Sequence, residues 1–199
     1  MTLATIMKTE YVNELSGERL QLRRNTSNQK LAEVMFATVD INREHLRKWF
    51  DWTDGTKSVQ DSVNYLESVD KEFKEGTKVD YGVYVENNYL GNIGLFDIDT
   101  KHKSAEIGYW LAKEATGKGY MTEAMATLEK YFFEEIGLNR IELFCDVDND
   151  SSRRVAEKSG YQLEGRMREY KYNPTMKEMR DMFAFAKLKS DYEKHNTLR

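Results

Sequence analysis

Ala115-Thr116-Gly117-Lys118-Gly119-Tyr120-Met121-Thr122 combines the residue types best suited to holding an anion. Backbone N–H groups in a glycine-containing turn, delivered onto a helix N-terminus, form such a site. Gly117 and Gly119 let the main chain approach a phosphate with no Cβ in the way, while Lys118 adds a charge and Thr122 a hydroxyl. An ordinary strand-to-helix turn that uses glycine only for geometry fits the same residues. A Walker-type loop is excluded, because Lys118 is followed by Gly119 and not by Ser or Thr. A dinucleotide-binding turn fits poorly: it wants a third small residue where Thr122 stands, after the first strand of a parallel unit. The single cysteine, Cys145, alternates with Ile141 and Leu143, so it reads as a buried side chain more than as an acyl-carrying nucleophile. His45, His102 and His195 stand singly, and no metal site is expected.

The elements that position this loop follow from periodicity. Glu18 to Arg24 alternates as a strand through Leu20 and Leu22. Leu31 to Val39 reads as a helix with Leu31, Val34, Met35 and Thr38 on one side. Ser58 and Asp61 resemble a capping box before Val59, Val63, Leu66, Val69 and Phe73, and Gly76 closes that helix. Strands are expected at Asp80 to Glu86, Tyr89 to Asp97 and Ser104 to Leu111, with Asn87-Asn88 as a tight turn between the first two. The loop then opens a helix through Met121, Met125, Leu128 and Phe132 that ends at Gly137. Arg140 to Asp146 is a strand, Ser151 to Ser159 a short helix, and Tyr161 to Tyr172 and Arg180 to Lys189 two more strands. That order predicts an α/β (α+β) fold with a mixed, mostly antiparallel central sheet.

Two motifs in register carry a resemblance to a known family. Ala105-Glu106-Ile107-Gly108-Tyr109-Trp110-Leu111 followed by Gly117 to Ala124 resembles the core motif of the GCN5-related N-acetyltransferase (GNAT) superfamily. Together with Asn149 to Tyr161 and Leu163-Glu164-Gly165, it is most similar to the branch holding the Rim-type ribosomal-protein N-terminal acetyltransferases. The resemblance covers nearly the whole chain and implies helices on both faces of the sheet. It further implies acetyl-coenzyme A as co-substrate, no metal, and an amine acceptor attacking the thioester directly, first of all a protein or peptide N-terminus.

In that family the strand at Ala105 to Leu111 is bulged, with Gly108 as the expected bulge residue, and splays from the strand at Arg140 to Asp146. Backbone groups at Trp110 and Leu111 are then expected to hold the pantetheine and thioester, with an N–H near them for the oxyanion. Gly117, Lys118, Gly119, Tyr120, Met121 and Thr122 would cradle the pyrophosphate. The family often begins this loop with Gln or Arg where this chain has Glu114, so backbone amides and Lys118 must carry the anion. Asn149 and Ser152 match cofactor-contacting positions, although either also suits a helix cap. Ser152 is the candidate donor to the leaving thiolate, since its helix offers Val155, Ala156 and Glu157 where many members carry a tyrosine. Glu106 is the candidate base, directly or through water; an α-amine titrating near ~8 needs only a mild one. Trp49 and Trp52, three apart, resemble the wall of the family's acceptor pocket and equally suit a core.

Composition bounds these readings. The 199 residues fit a single domain with a polar tail at 190–199. With 30 basic and 34 acidic residues the net charge is −4, which argues against a dedicated nucleic-acid partner. Met1 to Glu14 lacks the apolar core of a secretory signal, and no run has the ~18 apolar residues of a membrane span. A cytoplasmic protein is expected, and a homo-oligomer is compatible with the sequence. Two other classes fit the same residues: a non-catalytic acyl-coenzyme A sensor, and an acetyltransferase for a small amine such as a polyamine or amino sugar. A sensor would need neither Glu106 nor Ser152.

Overall fold

The computed structural model describes residues 11–197. Most of the stretch Met1 to Glu14 and the last two residues of the tail lie outside them. Eight strands are present: β1 (Glu14–Ser16), β2 (Gln21–Arg24), β3 (Val79–Val85), β4 (Asn88–Asp99), β5 (Ser104–Leu111), β6 (Arg140–Asp146), β7 (Gln162–Asn173) and β8 (Glu178–Leu188). The helices are α1 (Gln29–Ile41), α2 (Arg43–Leu46), α3 (Trp52–Gly55), α4 (Val59–Glu75), α5 (Tyr120–Lys130), α6 (Asp150–Lys158) and α7 (Lys189–Thr197). All strands join one sheet in the order β1-β2-β3-β4-β5-β6-β8-β7. Among the described residues only the neighbouring pair β5/β6 is parallel, with helix α5 carrying the chain back across the sheet between them.

Strand alternation divides the core between the two faces. Leu22, Ile93, Leu95 and Ile107 turn towards Met125 and Leu128 of α5. Each is at most 2% exposed, so each contributes about 1.5–3 kcal/mol of apolar burial. On the opposite face Tyr89 and Trp110 meet Met35 and Val39 of α1 and Leu66 of α4. The expected mixed sheet with helices on both faces is therefore what forms.

Several local expectations are corrected. Helix α1 buries Ala32, Met35 and Val39, whereas Val34 is 40% exposed, so its inward stripe is rotated from the one predicted. The hairpin turn is Glu86-Asn87, one residue earlier than expected; both residues have positive φ, 50° and 68°, as a tight two-residue turn demands. Strand β1 and helices α2, α3 and α7 add to the predicted order. The polar tail is helical up to Thr197, and Tyr192 within it is buried and donates to Glu134 at 2.6 Å.

Gly108 is not a bulge residue. It sits in regular register opposite Gly94, and a Cβ there would come within 2.9 Å of the Phe96 ring, which explains the glycine. The irregularity lies on β4 between Phe96 and Asp99, where Asp97 takes a positive φ of 48°.

Candidate active site

Strands β5 and β6 pair at only three positions, Ser104 with Arg140, Ala105 with Ile141 and Glu106 with Glu142. Beyond them β6 stays with β8 as far as Asp146, while Ile107 to Leu111 stay with β4. The two parallel strands thus part into a V-shaped slot. Trp110 and Leu111 bury their side chains in the cores of opposite faces, and with β6 gone the backbone edge of that limb that faced it pairs with no strand among the described residues. An unpaired strand edge accepts an extended amide chain as it would another strand.

A 3-10 turn, Lys113–Ala115, leads from β5 into the glycine loop. Gly117 and Gly119 have φ of 75° and 82°, the left-handed region that favours glycine. Gly119 is the N-cap of α5 and supplies no side-chain cap, so the first-turn N–H groups at Tyr120, Met121 and Thr122 have no capping side chain. The Met121 side chain is buried, only 5% exposed, so the residue offers the loop nothing but its backbone. Lys118 and Glu114 are both exposed; nearby, burial and the charge of Lys113 lower the pKa of His45 of α2, and Glu114 opposes them.

A second cation reaches this loop from about a hundred residues upstream in the chain. The Arg19 guanidinium pairs with Glu123 at 2.7 Å, donates to the Lys118 carbonyl at 3.3 Å and lies over the Tyr120 ring at 5.1 Å. Its Nη2 is 3.4 Å from where a Cβ on Gly119 would stand. No local sequence signal ties Arg19 to the loop; the junction exists only after the turn between β1 and β2 packs beside α5, where Gly17 and Arg19 meet Glu123.

At the mouth of the slot α6 begins. Asn149 caps it, its side-chain oxygen accepting from the Ser152 N–H at 3.1 Å. The Ser152 hydroxyl does no capping: it lies 2.9 Å from the Tyr109 hydroxyl of β5, and it is near enough to Cys145 to lower that thiol's pKa against the effect of burial. Cys145 is 4% exposed, and burial pushes its thiol up to about 11, so it is a protonated, buried thiol at neutral pH. Arg180 of β8 locks the turn between β6 and α6, with two 2.9 Å bonds to Asp146 and an ion pair to Asp148.

Glu106 lies at the apex of the slot, on the α1/α4 face beside its cross-strand neighbour Glu142. It is half-buried, and no side chain among the described residues hydrogen-bonds or pairs with its carboxylate. Burial raises its pKa, the charges of Asp97 and Glu142 raise it further, and Lys171 opposes them. Trp52 forms part of an aromatic wall on this face, its ring 5.5 Å from Phe50 and 6.0 Å from Trp110. Trp49 does not share a helix with Trp52: it lies in the turn between α2 and α3, half-buried and apart from that ring cluster. The β7–β8 hairpin crosses to this wall through Lys171 with Asp51 at 3.6 Å and Asn173 with the Lys48 carbonyl at 3.1 Å.

Among the described residues no group of three or more His, Cys, Asp or Glu could hold a metal ion. No helix among them is long and apolar enough to cross a membrane.

The sequence profile described as Acetyltransferase (GNAT) domain matches residues 19–162. YdaF of Bacillus subtilis, provisionally named a ribosomal N-acetyltransferase, is 31% identical over 83% of this chain and 87% of its own. The ribosomal-protein-serine acetyltransferase of Escherichia coli is 25% identical over 78% of this chain and 86% of its own. In fold, the chain is similar to RimL, a ribosomal L7/L12 α-N-protein acetyltransferase solved with coenzyme A: TM-score 0.83, 23% identity, 88% of this chain and 97% of the other covered.

Proposed function

This chain belongs to the GNAT acetyltransferase family, and from that premise we propose that it acetylates the free α-amine of a protein or peptide, acting as one cytoplasmic domain with acetyl-coenzyme A as donor. The observation that carries this reading is the parting of β5 from β6 after Glu106. One limb of the slot ends in a glycine loop and a helix start without a side-chain cap; its apex carries a half-buried carboxylate that no side chain among the described residues hydrogen-bonds. The free backbone edge suits the amide-rich pantetheine arm. The loop suits the pyrophosphate, with Lys118 and Arg19 as the cations that Glu114 does not supply. Two relatives named for ribosomal-protein acetylation support an N-terminal amine as acceptor.

Bound in the slot, the donor supplies an acyl carbon activated as a thioester. Glu106 takes the proton that an ammonium group must lose before its nitrogen can attack. Its raised pKa brings it closer to that of an α-amine, so proton transfer is less uphill than to an ordinary carboxylate. Asp97 and Glu142 add negative charge around the arriving cation. Trp52 and Phe50 wall the acceptor and exclude water, and the Ser152 hydroxyl donates a hydrogen bond where thiolate charge develops. A free thiol titrates near ~8.5, so one donor suffices there. Positioning of amine against thioester supplies most of the acceleration.

A non-catalytic acyl-coenzyme A sensor gains nothing from a half-buried, partnerless Glu106, whose desolvation costs stability. Acetylation of peptides with a free N-terminus, read by intact mass beside N-blocked lysine peptides and polyamines, tests the acceptor class. The reading expects acetyl on the α-amine first; acetylation of polyamines alone would refute it.

A further inference from the structure

Tyr109 has no part in the chemistry so far, yet its hydroxyl reaches across the slot from β5 to α6. It sits on the limb of β5 that has left β6, with its ring packed against the core on the α5 face. Its hydroxyl meets the Ser152 Oγ at 2.9 Å, where either oxygen can be the donor, and is also placed to donate to the Ser152 carbonyl at a longer 3.4 Å. The Cys145 thiol of β6 lies close enough to Ser152 for that hydroxyl to lower its pKa against the effect of burial. Groups on β5 and β6 therefore gather around the Ser152 hydroxyl of α6.

A serine hydroxyl has one proton and two lone pairs. Burial moves the Tyr109 phenol above its ordinary range, so it keeps its proton at any working pH. When Tyr109 donates to Ser152, the single Ser152 proton is released to point the other way.

Resting on the acetyltransferase reading above, we infer that Tyr109 is a positioning residue: by donating to Ser152 it aims the Ser152 proton into the slot, at the sulfur that leaves the donor. In the transfer the C–N bond forms as the thioester C–S bond breaks, and the sulfur leaves with the electron pair. Ser152 stabilises that thiolate by its hydrogen bond, and Glu106 takes the proton the ammonium loses before attack. The proton the nitrogen sheds after attack passes to the thiolate to give the free thiol, and Tyr109 gives up none.

Tyr109→Phe keeps the ring and deletes the hydroxyl. The expected result is a kcat about tenfold lower, the loss from one misdirected hydrogen bond, with the calorimetric Kd for acetyl-coenzyme A within about twofold of wild type. Adding Ser152→Ala should cost no more than Ser152→Ala alone. A role confined to packing would instead leave kcat unchanged or add to the Ser152→Ala effect, and either result overturns the inference. A measurement on the wild-type protein alone guards against a variant that fails to fold. Coenzyme A should gain affinity over desulfo-coenzyme A as pH rises from 6 to 9, because a directed donor favours the thiolate. No gain there also overturns it. A wild-type protein that neither binds acetyl-coenzyme A nor releases its thiol overturns the acetyltransferase reading itself, whereas a fully active Tyr109→Phe overturns only this inference.

Discussion

Glu106 can serve as a base because its neighbours share its sign. A surface glutamate titrates too low to draw a proton efficiently from an α-amine, but burial and the charges of Asp97 and Glu142 hold this one higher. The acid limb of kcat/KM should follow that pKa. Asp97→Asn removes one of the charges and is expected to move the limb to lower pH, while Glu106→Gln should abolish it and lower kcat about a hundredfold. A limb that stays in place in Asp97→Asn, or normal turnover in Glu106→Gln, would exclude Glu106 as the base. Alternation along Ser104 to Leu111 was enough to turn Glu106 away from Ile107 and Tyr109. Its charged neighbours were not legible, because they arrive through an irregularity on β4 and the register of β6, both set by pairing between distant segments.

The elements were most legible where a local rule acts without competition. Ser104–Leu111 and Arg140–Asp146 fall at their predicted ends, Gly76 and Gly137 close helices in the left-handed conformation, and Asn149 caps α6. The inward face of α1 was not legible, because Val34 and Thr38 fit helical spacing as well as Ala32 and Val39 do, and only the packed sheet decides between them. The same holds at the glycine loop, where Gly117 to Thr122 could be read directly but Arg19 could not. Two variants test that junction by titration with acetyl-coenzyme A. Gly119→Val forces a branched side chain into φ of 82°, with its Cβ 3.4 Å from Arg19, and should abolish measurable binding. Arg19→Ala should raise Kd about tenfold, in line with the loss of one charge-assisted contact. Wild-type affinity in both variants would mean that the anion lies elsewhere.

Across the whole molecule, the wall of the acceptor side is continuous with a buried polar network. Asp80 accepts from Asn25 at 2.7 Å, Tyr65 at 3.0 Å and Asn92 at 3.2 Å; Tyr89 donates to Asn92 at 2.6 Å, and its ring meets Trp110. Complete burial raises the Asp80 carboxyl to about 6, despite those bonds and nearby Lys78. The folded state therefore holds this proton more tightly than the unfolded chain, so stability falls as pH rises from ~4 to ~6. The loss is on the order of 2–3 kcal/mol, and Asp80→Asn should flatten that stretch of the unfolding profile. An unchanged slope would exclude Asp80 as its source.

The network, the buried Lys187–Glu129 pair at 2.6 Å and the docked tail all join segments far apart in the chain. None has a local signature, whereas the architecture did, through the order of its elements. The slot that this architecture opens carries the central claim. Its most direct test counts thiol released from acetyl-coenzyme A by the purified protein, with and without a peptide bearing a free N-terminus, alongside the mass of that peptide. The account predicts one thiol per acetylated α-amine, and none beyond background when the peptide is withheld. Thiol release without peptide, with the acetyl group retained on the protein, would contradict direct attack; acetyl-coenzyme A bound but never cleaved with any peptide would contradict the enzyme.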